Sequence, residues 1–182
     1  LTSTATAWLL MGKPDLGMSI NGLLAGLVAI TAGCAFVSVS SALLIGGLAG
    51  VLVVVAVMFF DRRRLDDPVG ALSVHLVNGV FGSLAVGLFA QDSITGVATG
   101  NGLLFGGGFG LLGAQALMVV TVAAFVLPAS LLVWWLIKKT VGIRVSLKEE
   151  IQGLDIGEHG NVAYPEFVIH RNSYSAAVVP KE

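Results

Sequence analysis

Four uninterrupted apolar runs, each about twenty residues long, decide most of what this chain can fold into. They fall at about residues 18–37, 42–60, 68–90 and 113–137. A hydrocarbon core about 30 Å thick needs roughly 20 residues of helix to cross it. Continuous apolar character over such lengths excludes buried strands, and the alternation of a membrane β-barrel is missing. The expected fold is therefore all-α, a polytopic transmembrane helical bundle. Only 12% of the 182 residues are charged, about half the share in soluble domains. Of the 24 glycines, 11 lie inside the apolar runs, where each would weaken a soluble helix by roughly 1 kcal/mol. In lipid the same residues let helices approach closely. Gly22 with Gly26, and Gly46 with Gly50, put small residues four apart on single helix faces.

Basic residues give the orientation. Lys13 precedes the first run, Arg62, Arg63 and Arg64 separate the second from the third, and Lys138, Lys139 and Arg144 follow the fourth. The loops at 38–41 and 91–112 contain no Lys or Arg. The alternation places the arginine loop and the C-terminus in the cytoplasm. Trp134 and Trp135 stand where an interfacial aromatic belt belongs. Two regions are expected: a transmembrane region over 1–140, with a partial helix at 1–11, and a polar cytoplasmic tail over 141–182. The chain opens in mid-helix, without a methionine or a basic n-region, and so reads as a piece of a longer protein rather than as a signal peptide followed by a domain. The lone Cys34 excludes a disulfide within the chain. No basic tract is long enough to suggest nucleic acid.

Within the third run, Asp67-Pro68 reads as an N-cap followed by proline at the first helical position. That start puts His75 about two turns into the membrane, where an ionisable group is costly and usually faces a cavity or a bundle interior. At α-helical spacing its neighbours are Ala71, Asn78 and Gly82, a small and polar face. Two readings stay open on this pattern. His75 is either an interhelical hydrogen-bonding residue or a pore-lining imidazole. A metal site is disfavoured, since no second His, Cys or carboxylate shares that face. His159 and His170 lie in the tail, where solvated histidines are the default.

The run from Asp66 to His75, D-D-P-V-G-A-L-S-V-H, resembles the tenth helix of the Amt/Mep/Rh ammonium transporters, in which a pore histidine stands seven residues after the proline of a D-D-P turn. Residues 25–31, A-G-L-V-A-I-T, resemble the eighth helix of that family, and 42–50, A-L-L-I-G-G-L-A-G, the ninth. In the tail, Gly153-Leu154-Asp155, Glu158-His159-Gly160 and Ala163-Tyr164 resemble the family's cytoplasmic C-terminal motif.

The resemblance implies an eleven-helix protomer, of which this chain would hold the end of the seventh helix and the eighth to eleventh. It implies transport of ammonium or ammonia by a homotrimer in the plasma membrane, with one pore per subunit. It also makes a PII-type nitrogen regulatory protein a candidate partner at the cytoplasmic face. On the resemblance His75 would take the place of one of twin pore histidines, Ala71 would line the pore one turn below, and Thr31 would supply a hydroxyl near the inner half; Asn78, on the same helix face as His75, is added to the expected pathway. Gly153, Asp155, Glu158, His159, Gly160 and Tyr164 form a regulatory tail. No cofactor is implied. Two positions depart from the pattern: Gly70 replaces an aspartate of some bacterial members, and Ala32 a proline. Two other classes compete. An ammonium sensor would keep the channel body, and a membrane enzyme would use His75 as general base, although only Ser73 is near it and on another face.

Overall fold

In a computed structural model, which describes residues 1–96 and 100–161, every regular element is helical. The chain divides into two compact units, Leu1–Ala129 and Ser130–Glu182. In the first unit, α1 (Thr2–Met11) ends at Gly12, whose φ of 77° supplies a left-handed cap. Asp15 then opens α2 (Leu16–Thr31) by accepting the Met18 N–H at 2.7 Å. Ser38 does the same for α3 (Val39–Arg62), accepting from Ser41 N at 3.3 Å. These Asp and Ser side chains satisfy N–H groups that a helix start leaves without partners.

The fourth helical region begins with a π-helical turn, Leu72–Val77, and continues as α4 (Asn78–Phe89). A short α5 (Asp92–Thr95) and a 3₁₀ turn (Leu103–Phe105) follow. The long α6 (Gly110–Thr140) passes through Pro128 without interruption. Two short helices, α7 (Leu147–Gln152) and α8 (Leu154–Gly157), belong to the second unit.

Val39–Arg62, Leu72–Phe89 and Gly110–Thr140 are long and apolar enough to cross a membrane. The run expected at 18–37 is shorter. α2 stops at Thr31, and residues up to Val37 form turns closed by Phe36 N–H and Val37 N–H on the Gly33 carbonyl. Sixteen helical residues rise only about 24 Å. The third run also starts later than expected. Pro68 and Val69 form a turn, Gly70 takes a φ of 73°, and the helix begins at Leu72. A positive φ at Gly70 cannot be part of a right-handed helix, so the proline is outside it.

Helices in lipid gain little from apolar contact as such, so close approach of backbones must hold them together. That is how α1 to α4 pack. A Cβ added at Gly22 would overlap Ser3, and one at Gly50 would overlap Thr2, so α1 lies directly on α2 and α3. A Cβ at Gly82 would enter the Ala29 carbonyl, which joins α4 to α2. The buried centre is correspondingly small-chained: Ala7, Ala25, Ala29, Ile45, Ala49, Val53 and Val74. Only one glycine of each expected pair is used in this way, for Gly26 and Gly46 have nothing within 4 Å. No residue of α6 is buried.

Candidate functional site

The start of the fourth helical region is built by one carboxylate. Asp67 Oδ1 accepts the Leu72 N–H at 2.9 Å, and Oδ2 accepts both the Ser73 N–H at 3.1 Å and the Ser73 hydroxyl at 3.0 Å. Partial burial pushes the Asp67 carboxyl up, but the hydrogen bonds from Leu72, Ser73 and Ala71 outweigh it and hold the group below its usual 3.8. Asp67 is thus a cap, as its sequence suggests, but it caps five and six residues on rather than at Pro68.

Beyond that cap the backbone makes a π turn, in which hydrogen bonds join residues five apart rather than four. The Asn78 amide donates to the Ser73 carbonyl at 2.9 Å, five residues back. Ser73 and Asn78 are both fully buried. Asn78 Oδ1 has no hydrogen-bond partner among the described residues, and a buried acceptor left so costs about 1–3 kcal/mol.

The π turn divides the face drawn at α-helical spacing. Ala71 and His75 are exposed, whereas Asn78 and Gly82 are buried against the bundle. His75 stands one turn from the helix start at Leu72, not two turns from Pro68. Thr31 is exposed, with its Oγ1 donating to Leu27 O at 2.7 Å. α2 and α4 run parallel, since Gly70 lies beside Asn21, Gly79 beside Val28 and Gly82 beside Ala29. Thr31 is therefore displaced along the bundle from His75 by on the order of 10 Å, toward the C-terminal end of α4. On the basic-loop orientation this is the outer half, not the inner half expected for it. The structure thus pairs Ala71 and His75 on an open face and separates Asn78 and Thr31 from them. The π register carried no recognisable signal in the sequence, because its spacing differs from α only once the Asp67 and Asn78 side-chain bonds are known.

In the second unit, Ser146 and Glu149 form a capping box at α7: Ser146 Oγ accepts the Glu149 N–H at 3.3 Å, and Glu149 Oε2 accepts the Ser146 N–H at 3.0 Å. The Ser146 hydroxyl and backbone bonds hold the Glu149 carboxyl low, with a smaller opposing effect of burial and some help from Lys148. Arg144 pairs with Glu150 at 2.6 Å. Gly153 and Gly160 have φ of 84° and 67°, as turns require, while Gly157 lies within α8. Glu158 and His159 line an open concavity with Val141, Arg144 and Leu154. Asp155 accepts the Asn161 N–H on its backbone carbonyl at 3.1 Å. Ala163, Tyr164 and His170 lie outside the described residues.

A family model described as the Ammonium Transporter Family matches residues 1–164. The ammonium transporter Amt2 of Archaeoglobus fulgidus is 43% identical over 171 residues, covering 92% of this chain and 36% of the relative. An ammonium transporter of Mycobacterium tuberculosis is 38% identical over 177 residues, covering 90% and 37%. Among solved structures, one described as a sensor Amt protein matches with a TM-score of 0.76 and 34% identity, over 86% of this chain and 38% of that one. Mep2 of Candida albicans matches with a TM-score of 0.72 and 25% identity, over 81% and 34%. The chain thus spans little more than a third of the length of the relatives it matches.

Proposed function

This chain belongs to the ammonium transporter family, and on that footing we propose that it is the C-terminal part of a membrane transporter in which ammonium nitrogen passes His75 as neutral ammonia. The observation that carries this reading is the placement of His75: an imidazole in an apolar helical segment, left uncovered by the described residues of this chain and set apart from the face packed by Ser73, Val74 and Asn78. An ionisable side chain at membrane depth ordinarily faces a bundle interior or a water-filled cavity, and a pathway supplies one.

The energetics favour a neutral species. Carrying a bare cation into an apolar constriction would cost tens of kcal/mol on an idealised Born account. Removing a proton from an amine-like cation with a pKa near 10 costs about 4 kcal/mol at pH 7. The neutral molecule then loses about 2–7 kcal/mol if unpartnered, much of which an imidazole recovers by hydrogen bonding. A neutral imidazole offers one donor and one acceptor, which suits ammonia. Potassium has no proton to shed, so the same route excludes it.

In this reading the protomers form a homotrimer in the plasma membrane, and the tail after Thr140 is cytoplasmic, where a PII-type regulator would meet it. The deciding experiment uses the full-length protein. His75→Ala should lower methylammonium uptake at least tenfold, or open the pathway to potassium, while the amount of assembled protein stays normal. Wild-type flux and selectivity in that variant would remove the pore role. A second reading, an ammonium sensor, is favoured by the likeness to the sensor Amt protein. It predicts ammonium binding with negligible flux in the same assay.

A further inference from the structure

The π turn at Leu72–Val77 decides which way His75 points, and two side chains hold it from opposite ends. In an α-helix successive residues turn by about 100°, which would set His75 roughly 60° from Asn78, on the same buried side. Ser73 would then stand roughly 140° from Asn78. The structure has the reverse arrangement: Ser73 and Asn78 are stacked and buried, and His75 is exposed. We infer that Asn78, by donating its amide to the Ser73 carbonyl, is the positioning residue that keeps the π register and so turns the His75 imidazole out of the bundle, with Asp67 anchoring the same turn through Ser73.

Three observations converge on Asn78. Its amide spans five residues, the hydrogen-bond spacing of a π turn and not of an α-helix. It is completely buried, with an acceptor oxygen that has no partner among the described residues, so packing alone would favour an apolar side chain of the same size. The Ser73 carbonyl it reaches belongs to the residue whose N–H and hydroxyl are taken by Asp67. Ser73 is therefore gripped on both sides, and the extra residue of the π turn is confined between the two grips. A π turn within a helix that carries a functional residue is a recurrent arrangement, and here its consequence is geometric. It separates the imidazole from the residues that pack the helix.

The inference rests on the pore reading of His75 for its functional meaning, but its structural content is read separately. Asn78→Leu, which removes the amide while keeping the same number of side-chain heavy atoms, is introduced into the full-length protein, and its structure is determined by electron cryo-microscopy. The expected result is a shift of one residue in register: i to i+4 bonds across 72–77 and the imidazole swung to the side of residue 78. Methylammonium uptake should fall at least tenfold at unchanged protein level, and Asn78→Gln, which keeps an amide donor, should regain at least a third of it. A π turn that survives in the leucine variant, or an imidazole that stays in place after the turn is lost, overturns the inference. Should the leucine variant not assemble, Asp67→Ala, which removes the acceptor of both Ser73 bonds, is read in the same way and by the same criteria. Normal uptake in His75→Ala would remove the pore reading alone and leave the register result standing.

Discussion

Asp67 and Ser73 are joined twice, through the Ser73 N–H at 3.1 Å and its hydroxyl at 3.0 Å, both on the same carboxylate oxygen. The two residues flank the Pro68–Gly70 turn, so this pair fixes where the loop ends and the helix begins. Replacing Asp67 by Ala should cost about 1 kcal/mol, as loss of a helix cap usually does. The effect has a definite pH dependence. The folded carboxyl lies below 3.8, so its contribution is present at pH above that value and fades as pH falls through the lower folded value. Thermal unfolding in detergent should show the wild type and Asp67→Ala converging below about pH 3.8 and separated at neutral pH. A constant separation at every pH would show that the carboxylate is not the stabilising form.

The helix contacts predict opposite effects for two glycines on one helix face each. Gly82 meets the Ala29 backbone, which cannot move aside as a side chain would, whereas a Cβ at Gly26 would meet no atom of this chain's described residues within 4 Å. Gly82→Ala should destabilise by about 1–3 kcal/mol, the usual range for overpacking. Gly26→Ala should be neutral or favourable by up to about 1 kcal/mol, through helix propensity. Melting temperatures of the two variants decide it, and equal losses would refute the packing described for α2 and α4.

These two sites also mark what could be read in advance. The helical class and the apolar lengths of α3 and α6 follow from composition along the chain, since only a continuous helix satisfies its backbone in lipid. The end of α2 at Thr31 and the start at Leu72 were not legible, because both depend on turns, at Gly33 and Gly70, that sit inside apolar sequence. Spacing of four singles out Gly22 and Gly26 equally, and only the position of Ser3 on a different helix distinguishes them. The same limit applies to the site. His75 stands out from the sequence as an ionisable residue in an apolar run, but its face was assigned with a 3.6-residue period. One π turn changes that period where it matters, and the bonds that stabilise it come from Asp67 and Asn78, residues that a periodic pattern treats as ordinary.

The orientation inferred from the basic residues is open to direct measurement. A reporter joined after Arg64 should be active only as a cytoplasmic fusion, and one joined at Gly100 only as an external one. The guanidinium of Arg63 lies 5.0 Å from the centre of the Phe59 ring at the end of α3, an arrangement suited to the membrane–water boundary, where an apolar stem and a charged head are both accommodated. The reverse reporter pattern would invert the orientation and move Thr31 back to the inner half.

The tail gives the last test. None of the described residues of its short helices α7 and α8 is buried, so they do not form a core of their own. Yet α7 begins with a complete capping box, and the joint between the helices is Gly153, at φ 84° and ψ 159°. That backbone region is open essentially to glycine alone. A segment that needs no fixed shape would have no use for such a joint, and we propose that the tail docks at the cytoplasmic side of the transporter and against a neighbouring subunit. Gly153→Val should force the joint into another conformation at a cost of about 1–3 kcal/mol. In the full-length protein it should lower methylammonium uptake severalfold without reducing membrane insertion. Co-expressed with wild type, it should depress uptake by more than its share of the subunits, because one misplaced tail would affect its neighbour. Uptake that falls only in proportion to the variant's share would confine the tail's action to its own subunit. Unchanged uptake after deletion of everything beyond Gly142 would deny it any action.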